Sequence, residues 1–426
     1  MKFMGECMKT QSKNMRQLNK WMWKWHFIAG VILMPFILLL TITGSIYLFK
    51  DIYNTYVNEE MMKVEIAGQR LSYEKQLSIV TAYTKVKPST FILPSKNDEA
   101  TVFEVGNWRN KRTVLLNPYT GEIQGDIIKN DSLMHKVQKL HGELLLGKVG
   151  TTIVELVASW TVVLILTGLY IWWPKNGWQL KGFFVIRFNS GRRAFFRDLH
   201  VTTAFWLSLF ILVTLAGGLP WTDIWGSGFK KVQKMTNSGY PKNYSGSKLL
   251  SVVQKDSKIT LDQMVKTSKE LELKGVVTIK IPKKETSVYS IKNKAKDINL
   301  QKVYHFDQYS GTKILSYTWD DVGVMRHTRT WLMRFHQGLF GDWNWYLMLG
   351  VSLLFFFSGL AGIVSYVLRK EKNDFGVPSV PAAFKLGYGI IFTTVVLGLF
   401  FPLFGASAIA IYLFELIRTK FFKPST

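Results

Sequence analysis

The chain has 426 residues, 48% of them hydrophobic and 14% aromatic, and carries a net charge of +25 from 54 Lys and Arg against 29 Asp and Glu. Its one cysteine, Cys7, excludes an internal disulfide, covalent c-type haem (no Cys-x-x-Cys-His) and thiolate-held iron–sulfur clusters, which take about four cysteines. No Gly-x-Gly-x-x-Gly, Gly-x-x-x-x-Gly-Lys-Ser/Thr or His-Glu-x-x-His stretch occurs, so no nicotinamide, flavin, nucleotide or zincin signature is present.

Residues 1–24 form a basic tail, with Lys2, Lys9, Lys13, Arg16, Lys20 and Lys24 against Glu6. Residues 31–48 are almost free of charge, and about 18 apolar residues at 1.5 Å each cross the ~30 Å hydrocarbon core, which predicts a first span over 25–49. It starts late, lacks a small-residue cleavage site and ends in Leu48-Phe49-Lys50, so it reads as a retained helix and not a signal peptide. Residues 50–134 are mixed. Stretch 75–85 has helical spacing, 101–105 and 112–116 read as strands, and Asn117-Pro118-Tyr119-Thr120-Gly121 is a turn. A second span with its lead-in covers 135–174; Glu155, just inside its end, either serves a function or reaches the interface. A basic loop over 175–198 holds Lys175, Lys181, Arg187, Arg192, Arg193 and Arg197 against Asp198. The third span covers 199–222. A second mixed segment covers 223–329, with a helix over 261–272 and strands over 276–281 and 287–291. Its many lysines are either a solvated face near anionic lipid or an attraction for an anionic substrate. The fourth span and its lead-in cover 330–369, and a loop with Lys370 and Lys372 covers 370–384. Residues 385–417 are apolar but broken at Phe401-Pro402-Leu403-Phe404-Gly405, which leaves one kinked helix or a hairpin, hence five or six spans, before the 418–426 tail with Arg418, Lys420 and Lys423.

The basic segments all fall on one side of a four-span arrangement. The positive-inside rule makes that side cytoplasmic, with the N-terminus, and makes the two mixed segments periplasmic. The expected location is the bacterial inner (cytoplasmic) membrane, and the expected partner of the charge is lipid, not nucleic acid.

The chain matches itself. His26 and Gly44 are eighteen residues apart, as are His200 and Gly218. His141-Gly142-Glu143-Leu144-Leu145-Leu146-Gly147 resembles His336-Gln337-Gly338-Leu339-Phe340-Gly341, and Leu116-Asn117-Pro118-Tyr119-Thr120-Gly121 parallels Phe306-Asp307-Gln308-Tyr309-Ser310-Gly311. The same elements in the same order predict parallel repeats about an axis along the membrane normal. The expected fold is an α-helical membrane bundle with two periplasmic α+β domains, each one helix on a short antiparallel sheet. It is a two-fold repeat of span–domain–span with a C-terminal apolar helix or hairpin.

Six of the seven histidines pair under this repeat: His26 with His200, His141 with His336, and His135 with His327. Two histidines facing across a bundle axis form a bis-imidazole site, the ligand set that b-type haem uses in bundles. His26 and His200 begin spans at the inner face; His141 and His336 open descending spans at the outer face. His135 and His327 either replace the latter pair as ligands or line an outer substrate surface. Arg192, Arg193 and Arg197 are either propionate partners or positive-inside charge. Gly44, Gly168, Gly217, Gly218, Gly359 and Gly362 admit a flat macrocycle or a neighbouring helix. His305, without a counterpart, reads as structural.

With these elements in place, the chain resembles the PepSY-associated transmembrane helix family, which includes iron-regulated inner-membrane proteins and ferric-siderophore reductases. The resemblance rests on Trp25-His26 through Thr43-Gly44, and on Leu140-His141-Gly142 through Leu166-Thr167-Gly168-Leu169-Tyr170-Ile171-Trp172-Trp173-Pro174. It continues in Arg197-Asp198-Leu199-His200 through Gly218-Leu219-Pro220-Trp221, in Phe335-His336 through Gly362, and in Phe404-Gly405-Ala406-Ser407. It implies PepSY-like periplasmic domains and, for its reductase members, b-type haems carrying electrons outward to a ferric chelate. The expected function is therefore a di-haem b reductase. His26 with His200 and His141 with His336 would hold the two haems. A cytoplasmic donor would supply electrons to a ferric siderophore or other iron(III) chelate docked between the two domains. The rival reading is a non-catalytic PepSY-type binding or regulatory partner in iron uptake. A transporter is a third reading, disfavoured because the spans lack buried charges and paired broken helices.

Overall fold

The computed structural model describes residues 2–107, 110–173, 181–254, 258–370, 375–377, 379–381 and 384–421. Pro174, Lys175, Lys372 and Lys423 lie outside the described residues.

Among the described residues, four helices are long and apolar enough to cross a membrane. They are α1 (Lys2–Leu48), α6 (Gly147–Trp172), α8 (Arg192–Gly218) and α12 (Asp342–Val367). Helix α1 packs on α6 and α12, and α8 packs on α12 and α6, closing a four-helix bundle. Its outward side chains, such as Ile32, Leu209, Leu354 and Phe357, stay exposed, an arrangement that lipid stabilises and water opposes. The basic tail and the end of the basic loop are helical, as the first turns of α1 and α8.

Between α1 and the sheet lie α2 (Lys50–Val57), α3 (Glu59–Met62) and α4 (Tyr73–Thr84). The expected spans with lead-ins over 135–174 and 330–369 each divide in two. Helix α5 (Leu133–Glu143) precedes α6, and α11 (Val324–His336) precedes α12. Leu144 and Leu145 turn the first junction with positive φ, and Gly338 turns the second. His141 and His336 therefore close short helices and do not open the spans. The short α7 (Lys181–Phe184) precedes α8, and α9 (Ile224–Met235) follows it. At the C-terminus, α13 (Tyr388–Phe400) and α14 (Pro402–Phe421) pack together, and the chain reverses at Phe401, where the backbones of Gly398 and Gly405 touch.

The two mixed segments do not form separate domains. Strands β1 (Thr90–Ile92), β2 (Thr101–Val105), β3 (Arg112–Leu116) and β4 (Ile123–Ile128) come from the first. Strands β5 (Val276–Lys280), β6 (Tyr289–Lys294), β7 (Lys302–Phe306) and β8 (Lys313–Thr318) come from the second. They join in one antiparallel sheet, ordered β4-β3-β2-β1-β5-β6-β7-β8. The seam pairs Phe91 with Ile279, and the bonds from Leu93 to Val277 and from Ile281 to Ser89 extend it. The cleft expected between two domains is thus closed by strand pairing. One face carries α4 and α10 (Leu261–Glu270) over a single core that includes Phe91, Phe103, Val114, Ile279 and Ile291. The two helices cap each other. Asp262 accepts from the backbone N–H groups of Tyr73 and Glu74, and Glu74 accepts from that of Leu261, each carboxylate meeting the positive end of the other helix.

Candidate functional site

Four histidines sit in the bundle, each seated on a glycine of a neighbouring helix. A Cβ built on Gly168 of α6 would lie 3.1 Å from His26 Cε1, and one on Gly44 of α1 would lie 3.1 Å from His141 Cε1. The other two follow the same plan. Gly362 of α12 meets His200 at 3.2 Å, while Gly217 of α8 meets His336 Cβ at 3.0 Å and Gly218 meets its Cε1 at 3.7 Å. These glycines admit imidazole rings to the helix surface, a use the sequence did not reveal. Gly359 is different, lying against Met34 and Leu38 as ordinary helix packing.

Each ring is held by Nδ1. His141 Nδ1 lies 3.0 Å from Leu40 O, His200 Nδ1 lies 2.9 Å from Ser358 O, and His336 Nδ1 lies 2.9 Å from Thr214 O. A carbonyl oxygen only accepts, so Nδ1 carries the proton and Nε2 keeps its lone pair. His26 reaches the same state through Thr167, whose hydroxyl donates to Val163 O and accepts from His26 Nδ1 at 2.9 Å. Among the described residues no hydrogen-bond partner reaches any of the four Nε2 atoms. A ring anchored at one nitrogen and open at the other is how proteins prepare histidine for a metal.

The rings form two pairs. His141 and His336, at the end of the bundle near the sheet, have centroids 6.0 Å apart at 57°. Two imidazoles sharing one metal atom, with bonds of about 2 Å and a further ~1 Å from nitrogen to ring centre, stand roughly 6 Å apart. His26 and His200, at the far end, are near enough to interact electrostatically. The eighteen residues of α1 between His26 and Gly44 separate the two pairs by about 27 Å. Among the described residues no group of three or more His, Cys, Asp or Glu forms a metal cluster. Paired imidazoles alone suit a metal that brings its other ligands with it, as haem does. The donor set and the glycine cradles fit that group. Leu48, Phe335 and Met348 form an apolar cluster at this end of the bundle.

The remaining candidates are engaged elsewhere. His135 Nδ1 meets Gln138 on its own helix, and His327 Nε2 lies 2.8 Å from Trp319 O while its ring stacks on Trp319. His327 precedes His336 by nine residues and His135 precedes His141 by six, so the two are not equivalent in register. His327 does line a cavity of about 660 Å³ with Lys296, Trp319, Trp331, Leu332 and Phe340, one helical turn beyond His336. Arg197 is committed to Asp198, which also takes Arg187 at 2.7 Å; Arg192 and Arg193 are exposed. Glu155 does not reach the interface. Fully buried, it accepts from the N–H groups of Ile224 and Trp225 and caps α9. His305 lies buried in β7, its Nδ1 on Ser290, with Gly246 (φ +69°) pressed against the ring. Burial and nearby Lys292 push its pKa down to about 4. The anchoring residues Leu40, Thr167, Thr214 and Ser358 were not singled out by the sequence; a hydroxyl one to four residues before a span glycine is the signal for Thr167 and Ser358.

No curated protein matches the chain. Residues 23–369, which hold all four spans, the sheet and all seven histidines, match the PepSY-associated TM region family. The chain belongs to the PepSY-associated TM region family of membrane proteins.

Proposed function

We propose that the protein is an inner-membrane di-haem b reductase, taking electrons from a cytoplasmic donor and delivering them to a periplasmic ferric siderophore or other iron(III) chelate. The observation that carries this reading is the set of four histidines anchored at Nδ1 and open at Nε2, in one pair at each end of the bundle. In this reading the sheet is periplasmic, the basic segments are cytoplasmic, and the two halves are parallel repeats. Haem b at each pair supplies one-electron redox chemistry. The chain's part is to fix four imidazoles in one tautomer, seat them against helix backbone and keep apolar side chains around them.

The chelate docks in the cavity bounded by Lys296, Trp319, His327, Trp331 and Phe340, in place of the closed seam between the strand quartets. Aromatic walls suit the organic shell of a chelate, and the lining carries one charge of each sign, Lys296 and Asp297. One electron converts Fe(III) to Fe(II), which hard oxygen ligands hold less well, and the iron is released.

Absorption spectra of detergent-purified protein, oxidised and dithionite-reduced, with a pyridine haemochrome assay, test the cofactor. Low-spin b-type bands at about two haems per chain are expected. A haem-free protein, made with adequate haem supply, would favour the non-catalytic binding partner instead. A haem-loaded protein that reduces no ferric chelate would remove the substrate assignment alone.

A further inference from the structure

The strongest anomaly outside the four histidines is Arg329 on α11. It is only 6% exposed, and its Nε has no hydrogen-bond partner. Among the described residues it has no ion pair and no hydrogen bond; its one contact of note is the face of Trp221, 4.4 Å from its guanidinium carbon. Neighbouring Arg326 adds positive charge, though that guanidinium has Tyr240 as both stacking and hydrogen-bonding partner. A guanidinium does not shed its proton in a protein, and with Nε buried and unpartnered and no acid beside it, this one suits an anion from outside the chain. Position then narrows the choice. Arg329 precedes His336 by seven residues, two helical turns, so both lie on one stripe of α11 about 10 Å apart along the axis. That stripe faces the end of α8, where Thr214 anchors His336 and Trp221 meets Arg329. The residue seven before His141 is Met134, equally buried and apolar. The cation therefore belongs to one half only.

We propose that Arg329 holds a propionate carboxylate of the haem at the His141–His336 pair. The inference rests on the di-haem reading. The fork of the guanidinium matches a carboxylate, and Trp221 holds the fork flat from the other side. A lipid phosphate is the same oxoanion chemistry from another source, and the test separates the two.

The test uses full-length protein carrying His26→Ala, which leaves only the haem near the sheet. Transfer of that haem to a scavenging apoprotein is timed for protohaem and for its dimethyl ester, which lacks the charged carboxylates. Esterification is expected to speed release at least tenfold with Arg329 present. Arg329→Gln should release protohaem at that faster rate and abolish the difference, and Arg329→Lys should restore part of it. Equal release of the two haems with Arg329 in place overturns the proposal without any variant, so misfolding of Arg329→Gln cannot shield it. If Arg329→Gln weakens binding of phosphatidylglycerol and leaves the ester difference intact, the partner is lipid and the assignment falls. Protein that takes up no haem overturns the di-haem reading itself, an outcome distinct from haem that binds without regard to Arg329.

Discussion

The two histidine pairs present the same chemistry by different means. His26 and His200 are carried by α1 and α8, long continuous helices whose position the bundle fixes along their whole length. His141 and His336 are carried by α5 and α11, short helices hung from the sheet and docked sideways onto α1 and α8. The far pair depends on the packing of spans. The near pair depends on the sheet, on two turns and on the docking of two short helices. Identical side chains can thus be held with different robustness, and the near pair should fail first.

The sharpest test of that contrast removes one ring at a time. His336→Ala and His26→Ala should each halve the haem content, and the remaining reduced spectra should differ if the pairs are independent. A variant losing both haems would show that the pairs are coupled. Next, Gly44→Val and Gly168→Val each push one ring off its seat. Overpacking of this kind costs about 1–3 kcal/mol, so about fivefold or greater loss of haem retention is expected at the near and far pair respectively. Haem-transfer kinetics read this directly.

Acid should then discriminate between the pairs. Native His305 stays neutral down to about pH 4, whereas an unfolded histidine takes up its proton near 6.5. Protons therefore favour the unfolded state between these values: stability is full above about pH 6.5 and falls as pH drops towards 4, by at most ~3 kcal/mol. The near pair should lose its spectrum before the far pair on acidification, and His305→Asn should flatten the slope. Equal acid sensitivity of the two pairs would break the link to the sheet. The smallest effect belongs to the far end. Asp198→Asn removes the charge that holds Arg187 and Arg197, both about half exposed. A loss of about 1 kcal/mol is expected, seen as a lower Tm of the far haem band alone.

Much of this was legible in the sequence. Spans, four of the eight strands (β2, β3, β5 and β6) and both sheet helices follow from hydrophobic period, and the offsets of His26, His141, His200 and His336 follow from self-similarity. What was not legible depends on contacts between distant segments. β1 has three residues and pairs with a strand about 190 residues later, so neither its existence nor the closed seam has a local signal. The breaks between α5 and α6 use Leu144 and Leu145 at positive φ, where leucine gives no hint of a turn. The offset of His135 and His327 looked like a repeat, but His135 stands six residues before His141 and His327 nine before His336, so the two differ by three in register. That each histidine would rest on a glycine of another helix, and that Arg329 would be left without an acid, depends on which faces meet.

The seam between β1 and β5 has one more effect. Two separate four-stranded sheets would offer four unpaired strand edges, each able to recruit a strand from another chain. Fusion leaves two, β4 and β8. Both lead within a few residues into α5 and α11, whose docking on the bundle restrains them. The join therefore leaves fewer edges open to edge-to-edge aggregation.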